Sequence, residues 1–368
     1  MNIPFLDVGA TYRELKPELD AAMQRVLDSG WFILGDEVES FEQSWAKACG
    51  ADHAVGVGTG LDALVLGLRA LSIGPGDEVI VPAHTFVATA LAVTYAGATP
   101  VFADVDLGTG NLTAELAAPH ITSRTKAILV VHLYGQPADL DELLELTRAH
   151  GLQLVEDAAQ AHGATYKGKP LGGHGAFAAW SFYPGKNLGA FGDGGALTTN
   201  DDALAQKVRT LRNYGSPTKY VHEEAGVNSR LDSLQAAVLG VKLAHLEAWN
   251  ARRAELAAIY DDTLPRDIVQ PMERGADRTS SWHLYVVRTA HREKVQAALA
   301  DAGIGTVVHY PIPCHLQPVY AAEHQGPFPH AEKLGLEVLS LPISPHHTEE
   351  QARKVADCLA RGVAGSGG

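Results

Sequence analysis

Two residues of this chain are well placed for chemistry, a lysine and a carboxylate that each follow an apolar run. Lys186 lies in Ser181-Phe182-Tyr183-Pro184-Gly185-Lys186-Asn187-Leu188-Gly189, and Asp157 in Glu156-Asp157-Ala158-Ala159-Gln160-Ala161-His162-Gly163. Each has an ordinary reading alone. Lys186 could be a solvated loop lysine, and Asp157 could cap a helix or pair with a cation. Together they suit one chemistry. A lysine can form a Schiff base with pyridoxal phosphate, and a carboxylate can keep the pyridine nitrogen protonated so that the ring acts as an electron sink. A free lysine has a pKa of about 10.4 and is mostly protonated at neutral pH. Engagement in a Schiff base removes that obstacle, and release returns the lysine as a base.

The flanks predict how the pair is positioned. Leu152-Gln153-Leu154-Val155 reads as a strand ending in two acids, and 176–182 as a second strand followed by a Pro-Gly turn. Both groups are therefore expected at strand ends, where open α/β sheets bind ligands.

The rest of the chain sets bounds. Its 368 residues predict two domains, a large one over 1–248 and a small C-terminal one over 249–368. With 46% hydrophobic and 20% charged residues the composition is globular, and a core can form without staples. The net charge of −14 disfavours a nucleic-acid or anionic-membrane surface, which attracts positive faces. Cys49, Cys314 and Cys358 form no CxxC, as expected of reduced thiols. The start, Met1 to Asp7, does not read as a signal peptide, and no apolar run approaches the ~20 residues of a spanning helix. A cytoplasmic location is expected. The tail from Gly362 to Gly368 is expected to fray.

The hydrophobic pattern predicts helices at 17–28 and 37–48, then alternating elements. Strands are expected at 54–58, 78–81, 100–103, 127–131, 153–155 and 194–198, with helices at 61–71, 87–95 and 140–150. This alternation predicts a mostly parallel sheet with helices on both faces. A long helix is expected from about Ser229 to Tyr260, with Leu231, Leu234, Ala237, Val238, Val241, Ala244 and Ala248 on one face. The remainder predicts a small α+β unit: strand 284–287, helix 293–302, strand 305–309 and helix 348–359.

These residues resemble the DegT-type sugar aminotransferases, within the aspartate-aminotransferase-like fold type I of pyridoxal-phosphate enzymes. The resemblance runs from Pro4-Phe5-Leu6-Asp7 to Leu339-Ser340-Leu341-Pro342. Its most specific parts are Glu156-Asp157-Ala158-Ala159-Gln160, Ser181-Phe182-Tyr183 with Lys186, Gly226-Val227-Asn228-Ser229-Arg230-Leu231-Asp232, and His309-Tyr310-Pro311. It implies that Gly60-Leu61-Asp62 opens a helix whose first N–H groups receive the cofactor phosphate. The family often has Thr or Ser where this chain has Leu61, which removes a hydroxyl but not the amides. The resemblance further implies that Ser181 supplies a hydroxyl to the phosphate, that Phe86 stacks on the ring, and that Gln160 lies near the phenolic oxygen. It places Asn228 at the phosphate of the neighbouring subunit, which implies a homodimer with shared sites. Tyr183, His309, Tyr310 and His315 are implied near the substrate. For His162 a supporting role is expected rather than a catalytic one. Phe86 alone would read as core, and Asn228 alone as a loop or capping residue.

Two other signals are set aside. Gly56-Val57-Gly58-Thr59-Gly60 is GxGxG rather than GxGxxG, and the next strand ends in Val81-Pro82 without a ribose-binding acid. The histidines His309, His315, His330, His346 and His347 come with no HExxH or CxxC, so no metal is expected.

The expected reaction moves the amino group of L-glutamate to a nucleotide-linked ketosugar. Ser29-Gly30-Trp31-Phe32-Ile33-Leu34-Gly35 and Gly60-Leu61-Asp62-Ala63-Leu64 look like the branch acting at C-3 of dTDP-linked 3-keto-6-deoxyhexoses, in antibiotic or surface-polysaccharide sugar synthesis. The C-4 branch more often carries Gly-Thr-Asp-Ala-Leu. The alternatives are a C-4 ketosugar or cyclitol aminotransferase, a sugar dehydratase, and a cofactor-binding regulator without catalysis. A histidine replaces the lysine in the dehydratase, so Lys186 speaks against it. The intact Lys186–Asp157 pair speaks against the regulator.

Overall fold

The computed structural model describes residues 2–323 and 325–364. Three N-terminal helices, α1 (Ala10–Glu14), α2 (Lys16–Ser29) and α3 (Asp36–Ala48), precede the first strand, β1 (His53–Val57). Helix α4 (Gly60–Ala70), strand β2 (Glu78–Pro82), helix α5 (Ala88–Ala96) and strand β3 (Thr99–Ala103) follow. Then come α6 (Ala114–Ala117), β4 (Thr125–Val131), α7 (Leu140–His150) and β5 (Gln153–Asp157). A two-residue hairpin, β6 (Thr165–Tyr166) and β7 (Lys169–Pro170), leads into β8 (Phe177–Ser181), β9 (Gly195–Thr199) and α8 (Asp202–Leu211).

Seven of these strands form one sheet in the order β1-β9-β8-β5-β4-β2-β3. Only β9 runs against its neighbours. The remaining pairs are parallel. Both faces are covered, so the central strands read as nearly continuous apolar runs. Side chains alternate between two cores. Val79 and Val81 of β2 join one, with Leu129 and Val155, while Ile80 joins the other, with Ile128 and Leu154. The sheet thus aligns the C-terminal ends of β4, β5 and β8 along one edge.

Helix α4 is held against this sheet by a close approach. Gly67 faces the ring of Phe177, and a Cβ there would lie 2.3 Å from the ring's Cζ. Phe177 is fully buried, so the ring has nowhere to retreat.

The second half differs from expectation in two places. The helix expected from Ser229 to Tyr260 is two helices, α9 (Ser233–Leu243) and α10 (Leu246–Thr263). The break follows from what each buries. Helix α9 packs Ala236, Ala237, Val238 and Leu239, and α10 packs Leu246, Trp249, Leu256 and Tyr260. Ala244 and Ala248, expected on the common face, are exposed. The join is a tight turn in which His245 N–H donates to the Lys242 carbonyl at 3.0 Å.

Strands β10 (Gln270–Pro271), β12 (Tyr285–Arg288) and β13 (Val338–Leu341) form a small antiparallel sheet. The intervening β11 (Arg278–Thr279) pairs with β6. Helices α11 (Arg292–Asp301) and α13 (Glu349–Ala364) share a core with this sheet, with Leu256 and Tyr260 of α10, and with Ile3. Helix α12 (Pro329–Glu337) precedes β13. The strand expected over 305–309 is absent. Gly305 N–H donates to the Ile3 carbonyl instead of continuing a ladder, and only an isolated bridge joins Val307 to Ser340. Helix α13 runs through Ala364, and the rest of the tail, with Met1, lies outside the described residues. No helix among the described residues is long and apolar enough to cross a membrane.

Gly67→Ala tests the α4 contact. The added methyl should cost about 1–3 kcal/mol through overpacking, more than the ~1 kcal/mol that Ala gains over Gly in a helix. A lower denaturation midpoint with an unchanged m-value is the expected result. An unchanged or raised midpoint would mean that the ring accommodates the methyl.

Candidate active site

The aligned strand ends carry the expected pair. Asp157 is the last residue of β5 and Lys186 lies five residues beyond β8, the parallel neighbour of β5. Both line one cleft of about 590 Å³. Thr59, Gly60, Leu61, Phe86, Gln160, Ser181, Tyr183, His309 and Tyr310 line it as well.

Asp157 is buried, with 7% exposure. Its Oδ2 accepts from Thr89 Oγ1 at 2.9 Å and its Oδ1 from the Ala159 N–H at 3.2 Å. Burial pushes its carboxyl above the ordinary value, against those two hydrogen bonds and the nearby Lys186 cation. Lys186 is shifted the other way. Burial lowers its ammonium to about 8, and the Asp157 charge only partly opposes this. Each group is thus desolvated, and neither is fully compensated.

Alternation along β5 sends Glu156 to the opposite face. There its Oε2 meets His132 Nε2 at 2.9 Å, with both side chains fully buried. His132 Nδ1 accepts the Ala138 N–H at 3.1 Å, so the ring proton sits on Nε2 and faces the carboxylate. Glu156 Oε1 also accepts the Gly175 N–H. Burial alone would raise the Glu156 carboxyl, but the His132 hydrogen bond and the Gly175 amide outweigh it and hold it below the ordinary value. The two acids of one strand are therefore divided: Glu156 is spent on structure and Asp157 is open to the cleft.

The opposite wall is the start of α4. Thr59 is the N-cap, its Oγ1 accepting the Asp62 N–H at 3.0 Å. Its carbonyl takes the Ala63 N–H. Gly60 and Leu61 head the helix and line the cleft. The first N–H groups of a helix favour an anion. Gly60 is required by contact, since a Cβ there would lie 2.7 Å from Ser181 Cβ. Asp62 does not line the cleft; its carboxylate accepts from Ser229 Oγ.

The aromatic and amide residues form a connected group. Gln160 Oε1 accepts the Tyr134 N–H at 2.6 Å, and its Nε2 donates to Tyr310 Oη at 3.0 Å. The Tyr310 and Phe86 rings lie 5.5 Å apart. Tyr134 Oη donates to the His309 carbonyl at 2.5 Å and lies 2.8 Å from His84 Nε2. His309 Nδ1 meets Ser340 Oγ at 2.8 Å. Burial, with help from the Lys186 charge, lowers His309 to about 4.

Besides Asp62, two residues expected at the site, Asn228 and His315, lie outside this cleft, while His162 takes the supporting place expected of it. Asn228 is exposed and outside this chain's cleft. His315 is buried, with 3% exposure, packed edge-on to Phe328 and 3.3 Å from Glu332, so this chain does not bring it to the cleft. His162 is buried among Trp45, Trp180 and Phe182, a packing position.

Sequence reasoning missed Thr59, Thr89, Tyr134, Asp193 and a group around Lys186. Thr59 had a signal, since Thr-x-x-Asp before an apolar run marks a helix start. Thr89 had none, because its partner lies 68 residues away. The residue after Lys186 anchors its loop. Asn187 Nδ2 donates to Asn250 Oδ1 and to the Ser281 carbonyl, and its Oδ1 lies 3.1 Å from His283 Nδ1.

The site fits pyridoxal phosphate on these observations: a buried, under-compensated carboxylate, a lysine on the neighbouring strand end, and a helix start that a Cβ at Gly60 would obstruct.

A profile of the DegT/DnrJ/EryC1/StrS aminotransferase family matches residues 13–360. The chain is 54% identical to the dTDP-3-amino-3,4,6-trideoxy-alpha-D-glucose transaminase of Streptomyces venezuelae, over 97% of this chain and 95% of that one. It is 49% identical to the dTDP-3-amino-3,6-dideoxy-alpha-D-galactopyranose transaminase of Aneurinibacillus thermoaerophilus, over 98% and 99%. It also superimposes on the crystal structure of S. venezuelae DesV in complex with a ketimine intermediate. The TM-score is 0.95, with 53% identity and 97% of both chains covered. With a lysine and a carboxylate at neighbouring strand ends and a match along nearly its whole length, the chain belongs to the DegT/DnrJ/EryC1/StrS family of pyridoxal-phosphate-dependent aminotransferases.

Proposed function

We propose that this aminotransferase moves the amino group of L-glutamate to C-3 of a dTDP-linked 3-keto-6-deoxyhexose, as a homodimer with shared sites. The observation that carries the reading is the Lys186–Asp157 pair lining one cleft at neighbouring strand ends. The C-3 assignment is supported by two relatives, both named for 3-amino dTDP-sugars. The division at 248/249 is supported by the separate core around β12 and β13, although α10 crosses that point.

When bound, pyridoxal phosphate supplies the electron sink that acidifies the carbon bearing the amino group. Asp157 would hold the ring nitrogen protonated, a pairing that relieves its own burial. Gly60, Leu61 and Ser181 would hold the phosphate, and Phe86 and Gln160 the ring. Lys186 would anchor the cofactor covalently and, once displaced, carry the proton between the substrate carbon and the cofactor's C4′. An ammonium lowered to about 8 leaves a larger fraction of free base at neutral pH than an ordinary lysine does.

The dimer is supported by an exposed apolar run beside the segment that carries Asn228. Trp31, Phe32 and Ile33 are 64%, 46% and 43% exposed. Ile33 bridges to Asp232, four residues after Asn228. Adjacent exposed apolar residues of this kind mark interaction sites.

Three outcomes test the reading. Borohydride should remove the visible absorbance of the holoenzyme and leave the cofactor on the peptide containing Lys186. Lys186→Ala should abolish formation of a 3-amino sugar, assayed by NMR of the product from glutamate and a dTDP-3-ketosugar. Normal turnover by that variant would sink the assignment.

Asp157→Asn should fold and retain cofactor but lose at least about a hundredfold in kcat, the scale of a positioned electrostatic or proton-transfer group. A rate near wild type would make Asp157 a structural residue.

Lys186→Ala and Asn228→Ala should each be inactive or nearly so. Their mixed dimers would hold one site lacking both residues and one intact site. Random mixing should then restore about a quarter of wild-type activity. No recovery, with mixed dimers shown by mass spectrometry, would place Asn228 outside the partner's site.

A further inference from the structure

Behind Lys186 lies a second, smaller chamber of about 220 Å³, which shares Tyr183, Lys186, His309 and Tyr310 with the cleft. Its remaining wall includes Phe5, Leu6, Arg253, His283 and Ile343, and no carboxylate lines it. Arg253, from the second turn of α10, is 4% exposed. Its two hydrogen bonds leave from Nη1, to the carbonyls of Trp282 at 3.1 Å and Ile343 at 3.0 Å. Its Nε is buried and has no partner among the described residues. Burial lowers the guanidinium to about 10, with no acidic neighbour opposing the shift. The histidines do not supply competing charge. Burial lowers His283 well below its ordinary value and His309 to about 4, so both are neutral near pH 7.

A buried cation without a counter-ion is costly, and a tether to two carbonyls does not require one. Asn250, three residues before Arg253 and on the same side of α10, already braces the Lys186 loop through Asn187. Arg253 therefore stands at a fixed position relative to Lys186, with an unused edge of its fork. A planar fork suits a carboxylate, which accepts two parallel bonds. Size agrees with a small ligand. The chamber falls below the roughly 300–1,000 Å³ of sites for larger ligands, a range into which the 590 Å³ cleft falls.

We propose that Arg253 anchors the carboxylate of the amino-acid donor in this chamber, holding the donor's amine at Lys186, and that it contributes nothing to sugar binding. This rests on the aminotransferase reading above. It adds a subsite for the donor's carboxylate beside the cleft, with which it shares Tyr183, Lys186, His309 and Tyr310.

The test uses holoenzyme. Arg253→Lys keeps a cation and a donor for the carbonyl tethers but removes the fork; Arg253→Gln removes the charge. For Arg253→Lys the KM for L-glutamate should rise at least about thirtyfold. The KM for the aminated dTDP-sugar in the reverse half-reaction should stay within about twofold. Arg253→Gln should show the larger donor defect. An equal loss in both half-reactions would show that Arg253 only tethers Trp282 and Ile343, and an unchanged glutamate KM would likewise overturn the proposal. Calorimetry separates this from failure of the assigned reaction. Wild-type holoenzyme should bind glutarate but not glutaramide, whether or not it accepts the ketosugar, and needs no variant that might misfold. Equal affinity for the two, or no binding of glutarate, would reject a carboxylate site. A wild-type enzyme that binds glutarate yet forms no amino sugar would overturn the assigned reaction and leave the anchor standing.

Discussion

The site depends on keeping two ionisable groups, Asp157 and Lys186, out of water in one cleft without letting them neutralise one another. Burial penalises the charged form of each, so the carboxyl is pushed up and the ammonium down. A direct ion pair would relieve both, but no salt bridge joins them; Asp157 is instead bonded to Thr89 and to the Ala159 amide. A protonated ring nitrogen at Asp157 and a carbonyl carbon at Lys186 would relieve the two separately. In this sense the cofactor completes the electrostatics of the fold. The misfit without it is the kind of perturbation that gathers at functional sites.

Holding that arrangement requires rigid support beneath and beside it. Beneath, Glu156 and His132 use the opposite face of the sheet, and alternation along β5 makes one acid structural and the other available. Beside it, Tyr134 joins Gln160, His84 and the His309 backbone. Asn187 ties the Lys186 loop to α10 and to the segment before β12. These bonds are buried, where an unmade hydrogen bond is costly, and they fix the cleft walls more firmly than apolar packing alone would.

Much of this was legible in the sequence because it is local. Strands β2, β4 and β5 are short apolar runs, and α7 begins and ends where its pattern does. The Lys186 and Asp157 segments were readable as strand ends, and the register of β5 with β8 then brings them together. What failed was decided at long range. The pattern after Ser229 carries apolar residues through Ala244 and Ala248, but the burial partners change there, so one helix becomes two. The run 305–309 has strand-like composition, yet Ile3 takes the Gly305 hydrogen bond. Thr89 and Arg253 carry no local sign of their roles, since a threonine in a helix and an arginine among α10's charges read as ordinary until the fold buries them. His315 shows the reverse case. Its sequence context resembles a substrate segment, while its side chain packs against Phe328 away from the cleft.

The cleft and the chamber share Tyr183, Lys186, His309 and Tyr310, but the rest of their walls come from different parts of the chain, and this separates what the site can vary from what it cannot. Asp157, Lys186, Gly60 and Ser181 belong to the large sheet or its immediate loops, where register and close contact leave little freedom. Phe5, Arg253, His283 and Ile343, which line only the chamber, come from four separate segments, none of them on that sheet. A substitution among these alters the space behind Lys186 without disturbing the strand ends that define the chemistry. A fold arranged in this way can hold one reaction fixed while its substrate preferences change, because Asp157 and Arg253 are held by separate hydrogen bonds.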